Sequence, residues 1–404
     1  MRLFKAMAPA ALLVAAVIFF TANTLPMKQD YDKKWNRVDS LSDLRQPRSA
    51  IEVVDEIYEL AKSDHNTAQV IKANLYRIKL MSEFEEDFLV KSINRLNEDL
   101  RQAETPEKQL LHSILGELYT RYYQMNRHKI LDRGRIAGSP GDDIRTWDAS
   151  AFAGAARDHF LKSLNEKEKL QEIDIDAFQA ILEKEKESEN YRPTLYDFLA
   201  FRAIEYFSNT EMELPVAAAQ YIPDDPAFFS PAAEFVHVNI DPNHQDANTA
   251  LAVQTYQALL AFHLNDDDPQ ALIDADLQRL EFLHHRAVVA GKDSLYLGAL
   301  QSLEDRFKSS PHHTRVSYRI AAFYDQQANQ YNPSESEDHR RDRKRAMEIC
   351  ERAIEEFPES RGAQNCKVLL SQITKPELDF TSEYAVIPGD PSLGLLKWKN
   401  LGQV

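Results

Sequence analysis

Cys350 and Cys366 are the only cysteines in a chain of 404 residues. Each lies eight residues from Pro358, where the apolar pattern breaks into a turn. In an antiparallel helical hairpin, residues equidistant from the turn face each other. The other equidistant pairs, Ala353 with Ala363 and Ala346 with Leu370, are mostly small, which allows the close backbone approach that a disulfide requires. The spacing therefore predicts a Cys350–Cys366 disulfide. The alternative is two buried free thiols packed as small apolar groups.

Other side chains with chemical potential are poorly arranged for it. The adjacent histidine pairs are His284-His285 and His312-His313, and neighbours on a helix point about 100° apart, so neither pair chelates one ion well. There is no H-E-x-x-H and no C-x-x-C. Asn265-Asp266-Asp267-Asp268 invites a calcium reading, but an EF-hand counted from Asp266 would need Gly and a carboxylate where Ala271 and Leu277 stand. Helix capping is the better reading of that run. No G-x-S-x-G elbow, P-loop or G-x-G-x-x-G turn is present, and nothing pairs a nucleophile with its base. The expectation is no catalytic residue, no metal and no cofactor; a helical hydrolase or lyase is the disfavoured rival. Tyr119, Tyr122 and Tyr123 have the spacing of a helix core rather than of a sugar platform. Asp338–Lys344 reads as a solvated loop or helix start, with contact to a partner domain as the alternative. With 64 acidic against 48 basic residues, the charge of -16 repels phosphate backbones and argues against nucleic acid.

The elements that position these residues are mostly helices. Hydrophobic content of 43% supports a real core, and 11 glycines are few for this length. Residues 1–25 read as a signal peptide or an N-terminal anchor. Arg2 and Lys5 precede the apolar stretch Ala6–Ala22, which is shorter than a usual membrane span of about twenty residues. Cleavage after Ala22 would place Phe20 poorly, so an uncleaved anchor at 6–22 is the alternative. Either way the body is expected to be periplasmic or extracellular, with membrane contact only through that stretch. Residues 26–246 form a first helical region. It opens with Tyr31–Leu44 and a break at Gln46-Pro47, then a stripe of Ile51, Val54, Ile57, Tyr58 and Ala61. Val70, Leu75, Ile78 and Leu80 mark the next helix, and Phe88–Leu100 another. Thr105-Pro106-Glu107 reads as a hydroxyl cap followed by proline, and Asp268-Pro269 repeats the device. Gly138–Asp143 is a loop. Helices resume over Ala151–Leu164 and Leu195–Phe207, and the proline-rich stretch 209–246 reads as a connection over the surface.

Residues 247–375 are expected to form helices over 248–264, 269–290, 293–308, 313–330, 340–356 and 360–373. Ala299, Leu303 and Pro311 share their spacing with Ala346, Cys350 and Pro358. Ile320-Ala321 and Tyr324, followed by Ala346, Ala353 and Pro358, are similar to the two helices of a tetratricopeptide repeat, interrupted by the polar insertion Pro333–Lys344. After Pro376 the period changes: Leu378 and Phe380 alternate with Glu377 and Asp379, and Leu396 and Trp398 with Lys397 and Lys399. The predicted class is all-α, a tetratricopeptide-like hairpin array, with opening β-strands of a sandwich at 376–404.

In order along the chain, Ala50–Tyr58, Asp142–Asp148, Arg192–Ala200, Ala271–Leu277, the hairpin Ala346–Lys367 and the tail from Val386-Ile387-Pro388-Gly389 to Leu396–Asn400 together resemble the N-terminal helical region of bacterial alpha-2-macroglobulin family proteins. The resemblance spans residues 50–400. It implies a protease trap: in that family a protease cuts a bait region, the molecule collapses around it, and many members capture it through a thioester formed in Cys-x-Glu-Gln. Here Cys366 is followed by Lys367-Val368-Leu369 and Cys350 by Glu351-Arg352-Ala353, so neither fits. The resemblance thus implies a non-enzymatic scaffold segment of an endopeptidase inhibitor, truncated at its first macroglobulin domain and not expected to trap alone. Its partners would be proteases, through the missing domains, or envelope proteins. The rival is a stand-alone exported helical-repeat protein that binds an envelope protein or a nutrient.

Overall fold

The computed structural model describes residues 30–132, 141–183, 188–212, 221–332, 334–384, 389 and 393–401. The expected export segment, Gly138–Pro140 of the expected loop and Val386–Pro388 of the resembling tail lie outside them. Among the described residues the fold is all-α, closed by one antiparallel strand pair. The chain divides into two compact units: residues up to Gln220 with Asp246–Ala252, and Tyr221–Gln245 with Val253 onward.

In the first unit, α1 covers 30–43, followed by α2 (Pro47–Ser63), α3 (Thr67–Met81), α4 (Phe88–Leu100) and α5 (Glu107–Leu131). Pro47 opens α2 because a first-turn proline gives up an amide that has no helical partner anyway. Asn66 caps α3, its side chain accepting from the Gln69 amide at 3.2 Å. Tyr31, Trp35, Val38 and Leu41 of α1 share one core with Ala50, Val54, Ile57 and Ala61 of α2 and with Val70, Ala73 and Leu80 of α3. Leu75, expected on the buried stripe, is exposed. The buried face of α3 instead runs through Ile71, Asn74 and Arg77, whose guanidinium reaches the Asp55 carboxylate and the Asn74 amide oxygen.

The expected hydroxyl cap of Thr105 on α5 does not form. The helix starts one residue later, with Pro106 in the cap position and no side-chain cap bond. The unit continues with α6 (Ala149–Ser163), α7 (Lys167–Gln171), α8 (Ser188–Tyr191) and α9 (Leu195–Phe207). Asp148 caps α6 at the Ala151 amide (2.8 Å), and a reciprocal capping box joins Thr194 to Asp197 at the start of α9. Gly116 makes room for a close approach: a Cβ there would lie 2.8 Å from the Phe160 ring, by which α6 packs on α5.

In the second unit, Tyr221–Gln245 does not simply cross the surface, as its prolines suggested. Its short turns and α10 (Ala232–Phe235) bury Phe228, Phe229 and Phe235. Next come α11 (Asn248–His263, in this unit from Val253), α12 (Gln270–Arg286), α13 (Lys292–Arg306), α14 (His313–Ala328), α15 (Asp342–Glu356) and α16 (Arg361–Thr374). The α12 helix stops short of the expected residue 290. Ala287 turns extended, and the Val288 amide leaves the helix to donate to the Pro223 carbonyl at 2.9 Å. The α14 helix packs against both α15 and α16. Ala321, Ala346, Cys350, Ala353, Cys366, Leu369 and Ile373 form their common core, so the residues with repeat spacing are packing residues. The strands β1 (Glu377–Ser382) and β2 (Gly394–Lys399) then pair, with Leu378 opposite Trp398 and Phe380 opposite Leu396.

Candidate functional site

Directly opposed residues of an antiparallel pair share one face, and the face alternates along the strand. The two faces of the β1–β2 hairpin are therefore chemically distinct. One carries Leu378, Trp398, Phe380 and Leu396. The other pairs Glu377 with Lys399 and Asp379 with Lys397, opposite charges that fix the register, then Thr381 with Leu395. The apolar face is uncovered: Leu378, Phe380 and Trp398 keep 60%, 64% and 59% of their surface open to solvent. Phe380 folds across Gly394, where a Cβ would lie 2.7 Å from its ring, so the strand end is fitted to this aromatic. The hairpin is tied at its base, because the Asn400 side-chain amide donates to the carbonyls of Ile373 (2.7 Å) and Lys375 (3.1 Å) at the end of α16. This places a contiguous apolar patch on a charge-paired backing, the arrangement of a surface built to be covered.

The expected cysteine partners meet. Cys350 of α15 and Cys366 of α16 are free cysteines, fully buried in one shared core. Contact with Cys366, together with burial, pushes the Cys350 thiol above the ordinary thiol range.

The other expected sites resolve into packing and capping. Tyr119 and Tyr123 are buried, Tyr119 stacks on Trp147 and Tyr122 on Phe152. Asp268 accepts from the Gln270 amide (3.0 Å) at the start of α12, and Asp266 takes the buried His263 ring at 2.6 Å. His284 stacks on Tyr296 and bonds Asp293 at 2.7 Å, with the His285 ring tilted beside it at 5.9 Å. His313 bonds the Ser310 carbonyl at 2.7 Å. Within the run 338–344, Asp342 is buried and received by His339 and Arg345, so it belongs to the start of α15. Among the described residues no group of three or more potential ligands is gathered that could hold a metal ion, and no helix is long and apolar enough to cross a membrane.

No family model matches the chain, and no curated protein matches it.

A histidine pair without a sequence signature lies between α5 and α6. His112 of α5 and His159 of α6 meet Nδ1 to Nδ1 at 2.9 Å, which requires one ring to donate and the other, as the neutral imidazole, to accept. Tyr119 closes one side, with its ring 5.4 Å from that of His159. Burial, then the partner ring and the ammonium groups of Lys162 and Lys108, push His112 down to about 3, and burial and Lys162 push His159 down to about 4. The two lie 47 residues apart, so no local pattern could announce them.

Because both folded-state values lie below the unfolded value of about 6.5, the unfolded chain binds more protons in acid. The stability is complete above about pH 6.5 and is lost as pH falls through the window down to about 4 and 3. At pH 5 the expected loss is about 1–2 kcal/mol per histidine, after discounting for solvent screening. Urea midpoints at pH 7 and 5, compared between the wild type and a His112→Leu/His159→Leu double variant, test this. The wild type should lose more stability than the variant; equal losses would refute the assignment.

Proposed function

We propose that the chain is a non-enzymatic, amino-terminal scaffold segment of an alpha-2-macroglobulin-like endopeptidase inhibitor. In this reading the helical units carry the β1–β2 hairpin, and the hairpin opens the first β-layer of the trapping part. The uncovered apolar face of Leu378, Phe380, Leu396 and Trp398 carries the proposal. A two-stranded hairpin needs further strands or a helix over its apolar face to be stable. The rival, a stand-alone envelope-protein or nutrient binder, expects the tail to pack on the helices. Apart from Lys399, every residue of both strands is exposed, which supports the scaffold reading over the rival. The expected address is outside the cytoplasm, with proteases meeting the parts beyond the scaffold.

Two measurements separate the readings. The 404-residue chain, mixed with a broad-specificity endopeptidase, is expected to leave the hydrolysis of a large protein substrate unchanged. Slowing of that hydrolysis would overturn the claim that the segment does not trap alone. Reading the gene beyond codon 404 should reveal a continuous frame of strand-forming segments of roughly a hundred residues each. A stop codon directly after Val404 would favour the rival.

A further inference from the structure

The last helical hairpin closes over two sulfurs. Cys350 and Cys366 both show no exposed surface, and they share their core with Ala321, Ala346 and Ala353. No solvent path reaches either sulfur in the closed hairpin. Thiol–disulfide exchange, by contrast, needs an attacking thiolate to approach the sulfur from outside, through a mixed disulfide that occupies space. Oxidation must therefore precede closure. We propose that Cys350 and Cys366 form a dithiol–disulfide site whose redox state is set while α15 and α16 are still apart and is then sealed by their packing.

The chemistry balances with a small disulfide as oxidant. The thiolate of one cysteine attacks a sulfur of oxidised glutathione and expels one glutathione thiolate. The thiolate of the second cysteine attacks the resulting mixed disulfide and expels the other. The protein loses two protons and two electrons, and the oxidant leaves as two thiols. The bridge joins α15 to α16, and the last carbonyls of α16 hold Asn400, so the same bond steadies the base of the β-hairpin. This inference does not depend on the scaffold reading.

The test is an adduct count on the full chain. Protein refolded in oxidised and reduced glutathione is denatured without reductant, treated with a maleimide and weighed. No adduct is expected, against two for protein refolded in dithiothreitol. Where refolding is inefficient, the count is taken on protein isolated from oxidising and reducing expression compartments. Sealing predicts that the folded oxidised chain keeps its bridge in dithiothreitol for hours, and that the folded reduced chain keeps two thiols in oxidised glutathione. The oxidised form should melt about 6–12 °C higher in the second unit. Two adducts after oxidative refolding would overturn the bridge, and exchange within minutes in the folded chain would overturn the sealing.

Discussion

Arg279→Leu is expected to destabilise the second unit by about 3–5 kcal/mol. Arg279 is 1% exposed and lies on α12. Its Nη2 and Nε donate to Asp276 Oδ1 at 2.5 and 2.9 Å, and its Nη1 donates to the carbonyls of Phe228 (2.7 Å) and Ser230 (3.1 Å). The guanidinium also lies 4.3 Å from the Phe235 ring centre. One side chain thus holds the proline-rich segment against α12. Removing it leaves the carboxylate of Asp276, itself 2% exposed, without its cation, and two carbonyls without a donor. Replacing both partners by apolar residues, Asp276→Leu with Arg279→Met, should recover most of the loss, since the stranded charge rather than the missing pair is the main cost. Urea unfolding followed by circular dichroism reads both variants. A single variant within 1 kcal/mol of wild type would refute the clamp.

Gly362→Ala should reverse the usual sign of a glycine-to-alanine change. Inside an ordinary helix that exchange gains about 1 kcal/mol. At 362 a Cβ would lie 2.1 Å from the carbonyl carbon of Thr314, 2.3 Å from its oxygen and 2.4 Å from the Arg315 nitrogen. These are backbone atoms of α14, so no side chain can turn away, and α14 and α16 would have to part. Their separation would open the core that encloses both cysteines. A net loss of about 2 kcal/mol or more is expected. Gly298→Ala, in α13 of the same unit, has nothing within 4 Å of its new Cβ and should be neutral or stabilising. Equal melting shifts for the two variants would contradict the close crossing.

Features carried by local periodicity were legible in the sequence. The bounds of α4 and α9 follow from amphipathic runs that end at turns, and the strand pair follows from strict alternation with charges of opposite sign on its two halves. The facing of Cys350 and Cys366 followed from their equal distance to Pro358, because a hairpin turns sequence symmetry into spatial contact. Features set by tertiary contacts were not legible. Leu75 is apolar but lies off the face shared by Asn74 and Arg77, where Arg77 pairs with Asp55 on another helix. Phe228, Phe229 and Phe235 sit among prolines without a period, and the Arg279 that holds their segment looks from sequence like one more solvated cation. His112 and His159 become a pair only when α5 packs on α6. The apolar hairpin face was readable, whereas its exposure required the fold.

The proposed scaffold of a protease trap is best probed in the gene product as its own cell makes it. That protein is incubated with a broad-specificity endopeptidase, and cleavage of a large protein substrate and of a short peptide is followed side by side. Cleavage of the large substrate should be strongly slowed while cleavage of the peptide continues, because an enclosed protease still admits small molecules. Undiminished cleavage of both substrates would contradict it.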